Sequence, residues 1–188
     1  MRLGAEDAVM NLYGPIAFGS VEELGPAFAE LRERLGLESD RIGVMGASQG
    51  AATAQLVVAE PRLTVSAAVL VSPVIRLRRT VEAMERRFGV AYPWSDESNA
   101  VADRLDFVAR APEIAWPPTL LVLGEKDYPG FHEAAAELAA ALGDRSKLVA
   151  IPGMPHALVE EPGMDPAPQT PHAAEVDRHA VEWFRRYL

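Results

Sequence analysis

The sequence predicts one α/β domain, residues 1–188, in which helices cover both faces of a mainly parallel sheet. The chain has 188 residues, 49% of them hydrophobic and 24% charged, which is typical of a globular domain with an apolar core. Short apolar runs alternate along it with longer amphipathic stretches, the order that builds β–α units. The runs lack the polar alternation of a solvent-facing strand, which favours parallel strands buried on both faces.

Four apolar runs are predicted to be the strands of this sheet. Each is short and is bounded by glycine, proline or polar turn residues, as buried strands are. They are residues 42–46, 65–71, 119–123 and 147–151.

Helices are predicted where apolar residues recur at spacings of three and four. The clearest of these stretches are 51–59, 131–142 and 172–187. The last one follows a proline-rich loop, residues 162–171.

The amino-terminal part of the chain has a less regular pattern. Ser20 is a candidate helix cap and Gly36 is a typical helix-ending residue, so a helix is predicted that begins after Ser20, or only at Pro26, and ends at Gly36. Gly14 and Pro15 are interpreted as the stop of a preceding segment, residues 5–13. Both a short helix and a strand are compatible with that segment.

Residues 74–118 form a connection far longer than one crossover helix needs. Long insertions of this kind often form lids or binding elements. Two helices are predicted within it, 79–88 and 99–109, joined by an aromatic loop that contains Tyr92 and Trp94. We interpret the segment as a cap or lid.

Composition and charge exclude several classes of function. The net charge of −9 and the pI near 5.0 argue against nucleic-acid binding, which requires a basic surface. Without cysteine there are no disulfides or thiolate sites, and the four histidines form no H-E-x-x-H pair, so no metal site is expected. No apolar run is long enough to span a membrane and no secretory signal is visible, which favours a cytoplasmic protein without membrane attachment.

The most informative motif is Gly46-Ala47-Ser48-Gln49-Gly50, a G-x-S-x-G sequence. It follows a predicted buried strand and precedes a predicted helix, the setting of a nucleophile elbow. In such a turn the residues two before and two after the serine are expected to be small, because larger side chains would collide. The turn presents the Ser48 hydroxyl at the carboxyl end of the sheet, where ligands bind in α/β folds. The alternative is a glycine-rich turn without chemistry.

A serine nucleophile needs a general base and an acid that orients it. Asp127 follows the third predicted strand and His156 follows the fourth, so parallel strands would bring both to the edge that carries Ser48. Glu125 is a rival for the acid, and a helix-capping role is the alternative for Asp127. The remaining histidines fall on predicted helices and are interpreted as surface or packing residues: His132, His172 and His179.

In these motifs the chain, from about residue 21 to residue 188, resembles the carboxyl-terminal two-thirds of an α/β-hydrolase. The resemblance implies hydrolysis of a small ester or thioester substrate through an acyl-enzyme, without a cofactor, and with a cap where residues 74–118 lie. The elbow is similar to that of esterase and thioesterase members. The specific parts are residues 41–50, 120–127, 151–156 and the closing helix with Trp183 and Phe184.

The resemblance does not extend to the strands that precede the elbow in members of the family. About four are expected there, whereas at most one precedes residue 42, so the chain is interpreted as amino-terminally truncated. Only the Gln49 backbone N–H can be assigned as an oxyanion donor, which predicts weakened activity. An elbow strand without its neighbour also predicts a homo-oligomer or association with a missing amino-terminal segment.

Two further interpretations compete with a hydrolase. One is a non-catalytic remnant of the fold that acts as a binding or assembly module. The other is a flavodoxin-like domain, which the absence of a phosphate-binding glycine loop disfavours. If the chain is a hydrolase, apolar loop residues near the predicted site are candidates for substrate contact: Tyr92, Trp94, Trp116 and Met154.

Overall fold

The computed structural model describes residues 7–39, 41–60, 63–158 and 168–188. Within them four parallel strands form one sheet in the order β1–β2–β3–β4. Each predicted strand is present with bounds that agree to within one residue, so the predicted α/β architecture is confirmed. The strands are β1 (Ile42–Ala47), β2 (Val65–Val71), β3 (Thr119–Gly124) and β4 (Ser146–Ile151).

Six α-helices accompany the sheet in the described residues. A π-helical turn, Val9–Tyr13, leads into the first helix, and short 3₁₀ turns lie at Ala111–Glu113 and Gly143–Arg145. The helices are α1 (Gly14–Leu35), α2 (Gln49–Ala59), α3 (Leu77–Phe88), α4 (Asp96–Arg104), α5 (Pro129–Leu142) and α6 (Pro171–Tyr187).

Both faces of the sheet are covered by helices, as the sequence predicts. The side chains of β2 and β3 alternate between two separate apolar cores. Leu70 and Leu121 pack with α2 and α5 on one face, whereas Val69 and Val122 pack with α6 on the other. The indole N–H of Trp183 donates a hydrogen bond of 3.2 Å to the Pro118 carbonyl and so joins α6 to the start of β3.

The predicted stop at Gly14-Pro15 is wrong, and so is the predicted cap at Ser20. The π-helical turn continues directly into α1, which runs past Ser20 and ends at Gly36 with a left-handed φ of 62°. Proline is compatible with the first turn of a helix, where its missing N–H costs no hydrogen bond. A buried stripe at a spacing of four residues explains why the helix continues: Val9, Tyr13, Ala17 and Val21. Residues 5 and 6 lie outside the described residues.

The predicted second helix of the insertion is displaced towards the amino terminus. α4 begins earlier because Ser95 caps it, its hydroxyl accepting a 3.2 Å hydrogen bond from the Ser98 N–H. It ends at Arg104 because the next residues turn back onto the start of the insertion. There the Phe107 N–H donates to the Ile75 carbonyl at 3.0 Å, which replaces the predicted helical end at 105–109.

The carboxyl-terminal helix begins one residue before its predicted start. Pro171 occupies its first turn, and the Thr170 hydroxyl caps it by accepting a 3.1 Å hydrogen bond from the Ala173 N–H. Most of the predicted proline-rich loop, residues 162–167, lies outside the described residues. Among the helices that the structure describes, none combines the length and apolarity required to cross a membrane.

Candidate active site

Ser48 occupies a strained position between β1 and α2. Its φ of 49° and ψ of −114° lie in a region that residues with a side chain rarely adopt and that costs about 1–3 kcal/mol. Neighbouring backbone groups hold it there. The Ser48 N–H donates to the Val71 carbonyl at 2.9 Å, and the Ser48 carbonyl accepts from the Ala51 N–H at 3.1 Å.

The two glycines of the motif differ in what surrounds them. A Cβ atom on Gly46 would lie 2.2 Å from the Gly50 carbonyl oxygen, so any side chain there collides with the backbone. A Cβ atom on Gly50 would meet nothing within 4 Å. The expectation that the residue must be small therefore holds for Gly46. It is wrong for Gly50, because Gly46 packs against the Gly50 backbone, and a side chain on Gly50 would extend into open space.

The structure brings Ser48, His156 and Asp127 together. Ser48 Oγ lies 3.0 Å from His156 Nε2, and His156 Nδ1 lies 2.8 Å from Asp127 Oδ1. One imidazole thus contacts the hydroxyl with one nitrogen and the carboxylate with the other. This is the geometry of a nucleophile, a base and an orienting acid.

The pairing of β3 with β4 explains why Asp127 and His156 meet. The strands are in register up to Gly124 and Ile151, so the loops that follow them start side by side. The Lys126 N–H then donates to the Met154 carbonyl at 2.9 Å. A Cβ atom on Gly124 would lie 2.1 Å from that same carbonyl oxygen, so only glycine allows the close approach.

Aromatic side chains hold the His156 ring in place. The Phe131 ring packs edge-on against it with 4.7 Å between centroids, and the Tyr128 ring lies 5.9 Å away. Both residues belong to the start of α5 or directly precede it. The imidazole is therefore fixed by packing as well as by its two hydrogen-bonding partners.

Asp127 is an ionised carboxylate in a buried place. Burial opposes its ionisation, but the hydrogen bonds and charge of His156 and the nearby hydroxyl of Ser72 outweigh burial. The Tyr128 N–H, which donates to Oδ1 at 2.8 Å, adds to the effect. Together these groups hold the pKa of Asp127 below its ordinary value, so the carboxylate is charged at neutral pH.

The alternatives for the acid are distinguished by geometry. Glu125 is exposed and accepts a 2.8 Å hydrogen bond from the Gly153 N–H, away from the imidazole. Asp127 does not cap α5, because that helix has Tyr128 at its cap position and no side-chain capping bond. The carboxylate that contacts His156 is that of Asp127.

Ser72 is a site residue that the sequence analysis missed. It follows β2 with a left-handed φ of 42°, and it is 1% exposed. Within the described part of the chain, its hydroxyl and Oδ2 of Asp127 are both buried without a hydrogen-bond partner of good geometry. The hydroxyl nevertheless lies close enough to help lower the pKa of Asp127.

The other three histidines lie apart from Ser48, His156 and Asp127, on helices as predicted. His132 is on α5, and His172 and His179 are on α6, where His179 lies 3.3 Å from Glu175. Among the described residues no group of three or more histidine, aspartate or glutamate side chains is arranged to hold a metal ion.

A cavity of about 300 Å³ opens at Ser48 and His156. Its wall is mostly apolar and, apart from Ser48 and His156, comes from four parts of the chain: the π-helical turn, the segment after β2, α3 and the start of α5. The other lining residues are Tyr13, Val74, Thr80, Ala83, Met84, Arg87, Tyr128 and Phe131.

None of the four residues predicted to contact substrate lines this cavity. Tyr92 donates its hydroxyl to Asp7 at 2.5 Å and packs edge-on against Trp94. Trp116 and Met154 are at most 4% exposed and belong to opposite cores, Met154 to the one beneath α6. Trp116 and Met154 fill the interior instead, and Tyr92 and Trp94 are half-buried against its surface, so the structure does not place the predicted substrate contacts on this cavity.

One part of the cavity wall follows a pattern that is visible in the sequence. Thr80, Ala83, Met84 and Arg87 recur at the spacing of one helical face. A stripe of this kind normally faces a core, and here it faces the cavity.

Tyr13 carries a hydroxyl on the same cavity wall as Ser48. Its hydroxyl contacts the Met84 sulfur at 3.8 Å, and burial raises the pKa of its phenol, which therefore keeps its proton. The Gln49 side chain donates to the Tyr13 carbonyl at 3.0 Å and so ties the π-helical turn to the elbow.

The fold and the elbow define an α/β hydrolase. The sequence profile of the prolyl oligopeptidase family matches residues 19–188, and the chain belongs to that family. No curated protein matches the sequence as a relative.

Solved structures of several hydrolases share the fold at low sequence identity. An esterase from Pyrococcus furiosus has a TM-score of 0.60 and 18% identity, covering 91% of this chain and 63% of the esterase. A dienelactone hydrolase from Anabaena variabilis has a TM-score of 0.58 and 22% identity, covering 100% of this chain and 67% of that enzyme. A monoacylglycerol lipase from Paleococcus ferrophilus has a TM-score of 0.57 and 17% identity, covering 89% and 76%. The chain is thus similar to part of each enzyme.

Proposed function

We propose that the chain is a serine hydrolase that cleaves carboxylic esters or thioesters through an acyl-enzyme on Ser48. The observation that carries the proposal is the continuous contact from Ser48 Oγ through His156 to Asp127 at the wall of an apolar cavity. Membership of a hydrolase family supports the same reaction class.

The reaction follows from the roles of the three groups. Ser48 Oγ attacks the acyl carbon while its proton passes to His156 Nε2, and the negative charge of Asp127 stabilises the imidazolium that forms. His156 then gives the proton to the leaving alcohol or thiol. Water enters, loses a proton to His156 and attacks the acyl carbon. The bond between that carbon and Ser48 Oγ then breaks, His156 returns the proton to Oγ, and the acid leaves.

The tetrahedral intermediates need donors for their oxyanion. We assign the backbone N–H of Gln49, at the start of α2, to this role, because the helix dipole there favours negative charge. We assign the Tyr13 hydroxyl as a second donor, since it lines the cavity and is kept protonated by burial. The Gln49 side chain is bonded to the Tyr13 carbonyl and is assigned a positioning role instead.

Residues 74–118 are proposed to form the cap of a single domain spanning residues 1–188. The support is that α3, within this segment, supplies one wall of the cavity while β1, β3 and β4 lead into the reacting groups. A cap in this place would hold the acyl chain and exclude water from it.

A peptidase is the second candidate function, because the matching family is one of peptidases. The residues described along the cavity include Arg87 and no carboxylate, so a cationic peptide amino terminus would find no complementary charge there. This favours an ester substrate over an aminopeptidase substrate. A binding module without turnover is the remaining alternative.

We also propose that the chain associates through β1, either with a second copy or with further polypeptide that pairs with this strand. β1 is an edge strand of the described sheet, and its Met45 is 48% exposed. An unpaired apolar edge favours pairing with another strand.

A fluorophosphonate probe and paired substrates test the proposal. Wild-type protein is expected to be labelled at Ser48, to hydrolyse p-nitrophenyl butyrate, and to lose both properties in S48A. A p-nitroanilide of an amino acid tests the peptidase, and faster cleavage of it than of the ester would favour that candidate. Absence of labelling and of both activities would overturn the hydrolase and leave the binding module.

A further inference from the structure

Arg87 is the charged residue of the cavity wall. It lies on the last turn of α3, and its guanidinium donates a 2.5 Å hydrogen bond to the Tyr128 hydroxyl. Its Cζ also lies 5.6 Å from the centroid of the Tyr128 ring, which in turn lies 5.9 Å from the His156 ring. One aromatic side chain therefore separates a permanent positive charge from the base of the triad.

The other arginines at the start of this helix face the surrounding protein. Arg76 contacts Asp106 and Glu137, and Arg79 contacts Glu137 at 2.8 Å. Arg78 bonds to Asn99 at 2.7 Å and lies over the Trp94 ring. Arg76 and Arg78 link parts of the insertion and Arg79 links it to α5, whereas Arg87 borders both the cavity and the residues around His156.

We propose that the substrate is an ester whose acyl chain ends in a carboxylate, and that Arg87 binds this carboxylate. The inference rests on the proposed hydrolase function and names its substrate class. A guanidinium binds carboxylate through two parallel hydrogen bonds, which suits a planar anion at the far end of a short chain. We place the carboxylate on the acyl part of the ester, because the acyl part stays bound to Ser48 in the cavity after the alcohol leaves.

Charge and size both fit a short dicarboxylic acid monoester. The chain as a whole carries a net charge of −9, but no acidic residue is among those described along the cavity wall. Arg87 makes this wall positively charged, which favours an anionic substrate. A cavity of about 300 Å³ is at the lower end of ligand-binding sizes, which suits an acyl chain of a few carbons.

Two substrates of nearly equal shape test the inference. p-Nitrophenyl hemiglutarate carries a carboxylate where p-nitrophenyl pentanoate carries a methyl group. R87Q is expected to lower kcat/KM for the hemiglutarate by about tenfold to a hundredfold more than it lowers kcat/KM for the pentanoate, mainly through KM. R86Q is the matched control, because Arg86 is a neighbour on α3 outside the cavity wall, and it should leave both substrates unchanged.

Two more measurements separate binding from turnover and from effects on Tyr128. Y128F removes the hydroxyl that Arg87 contacts and should retain the preference for the anion. In S48A protein, which cannot form the acyl-enzyme, hemiglutarate should bind measurably more weakly after R87Q is added, even if no turnover is found in the wild type. Equal effects of R87Q on both esters, or equal binding with and without Arg87, would overturn the inference while leaving the hydrolase proposal standing.

Discussion

The carbonyl oxygen of Gly50 occupies the space in which a side chain on Gly46 would begin, with 2.2 Å between it and the position of an added Cβ. The turn around Ser48 closes because β1 and α2 approach each other at this point. The strained Ser48 conformation therefore depends on the absence of one atom, two residues before the serine.

The first prediction compares alanine at the two glycines of the motif. G46A should destabilise the protein by at least about 2 kcal/mol, because a backbone atom must shift to relieve the collision. G50A should be as stable as wild type or slightly more so, because alanine favours the helix and its Cβ meets open space. Urea unfolding measures both, and equal losses in the two variants would contradict the asymmetry.

The second prediction concerns the acid. D127N should lower kcat for the preferred ester by about 10⁴-fold, because an amide cannot hold His156 in the productive tautomer. E125Q is the control, since Glu125 contacts the Gly153 N–H and not the imidazole. Steady-state kinetics of the two variants decide the assignment, and a larger loss in E125Q would transfer the role to Glu125.

The third prediction is a pH dependence of stability. The pKa of Asp127 is lower in the folded protein than its ordinary value of 3.8, so its ionisation stabilises the fold at pH values above 3.8. That contribution is lost as the pH falls through the lower, folded-state value. The difference in unfolding free energy between wild type and D127N should therefore shrink as the pH falls from about 5 to below about 4. Denaturant unfolding across this range measures it, and a difference that grows on acidification would contradict the sign.

The fourth prediction tests the second oxyanion donor. Y13F removes the phenolic hydroxyl from the cavity and should lower kcat by about 10²-fold with little change in KM, as expected for a bond made in the transition state. Y187F is the matched control, because Tyr187 lies on α6 against the opposite core. If Y13F changed only KM, Tyr13 would be a substrate-binding residue instead.

The sequence allowed the sheet and the three reacting positions to be predicted because their signals are local. Glycine and proline bound the strands, and the carboxyl ends of parallel strands meet at one edge, which brings Asp127 and His156 towards Ser48. The catalytic roles of the three residues stay predictions.

The cavity wall could not be predicted in the same way. Apolar loop residues such as Trp116 are equally suited to a core and to a pocket, and in the fold they enter the core. The wall comes instead from one face of α3, from the start of α5 and from Tyr13, which is far away in sequence. Gly14-Pro15 predicted the wrong helix boundary because proline also occurs in the first turn of a helix. Here the buried residues before and after Gly14-Pro15 form one continuous stripe, so the helical segment does not stop there.

The last prediction concerns association through the edge strand β1. In the described residues β1 pairs with β2 on one side, and β4 is the edge at the opposite end of the sheet. Exposed apolar side chains lie on both edges, Met45 on β1 and Leu148 on β4, at 48% and 43% exposure. Because a lysine on an edge strand disfavours pairing with another chain, M45K and L148K form a matched pair that separates the two edges. Sedimentation at micromolar concentration should give a mass above 20.3 kDa for wild type and L148K, and M45K should shift the mass towards 20.3 kDa. A wild-type monomer throughout, or dissociation by L148K alone, would contradict the association of two copies through β1.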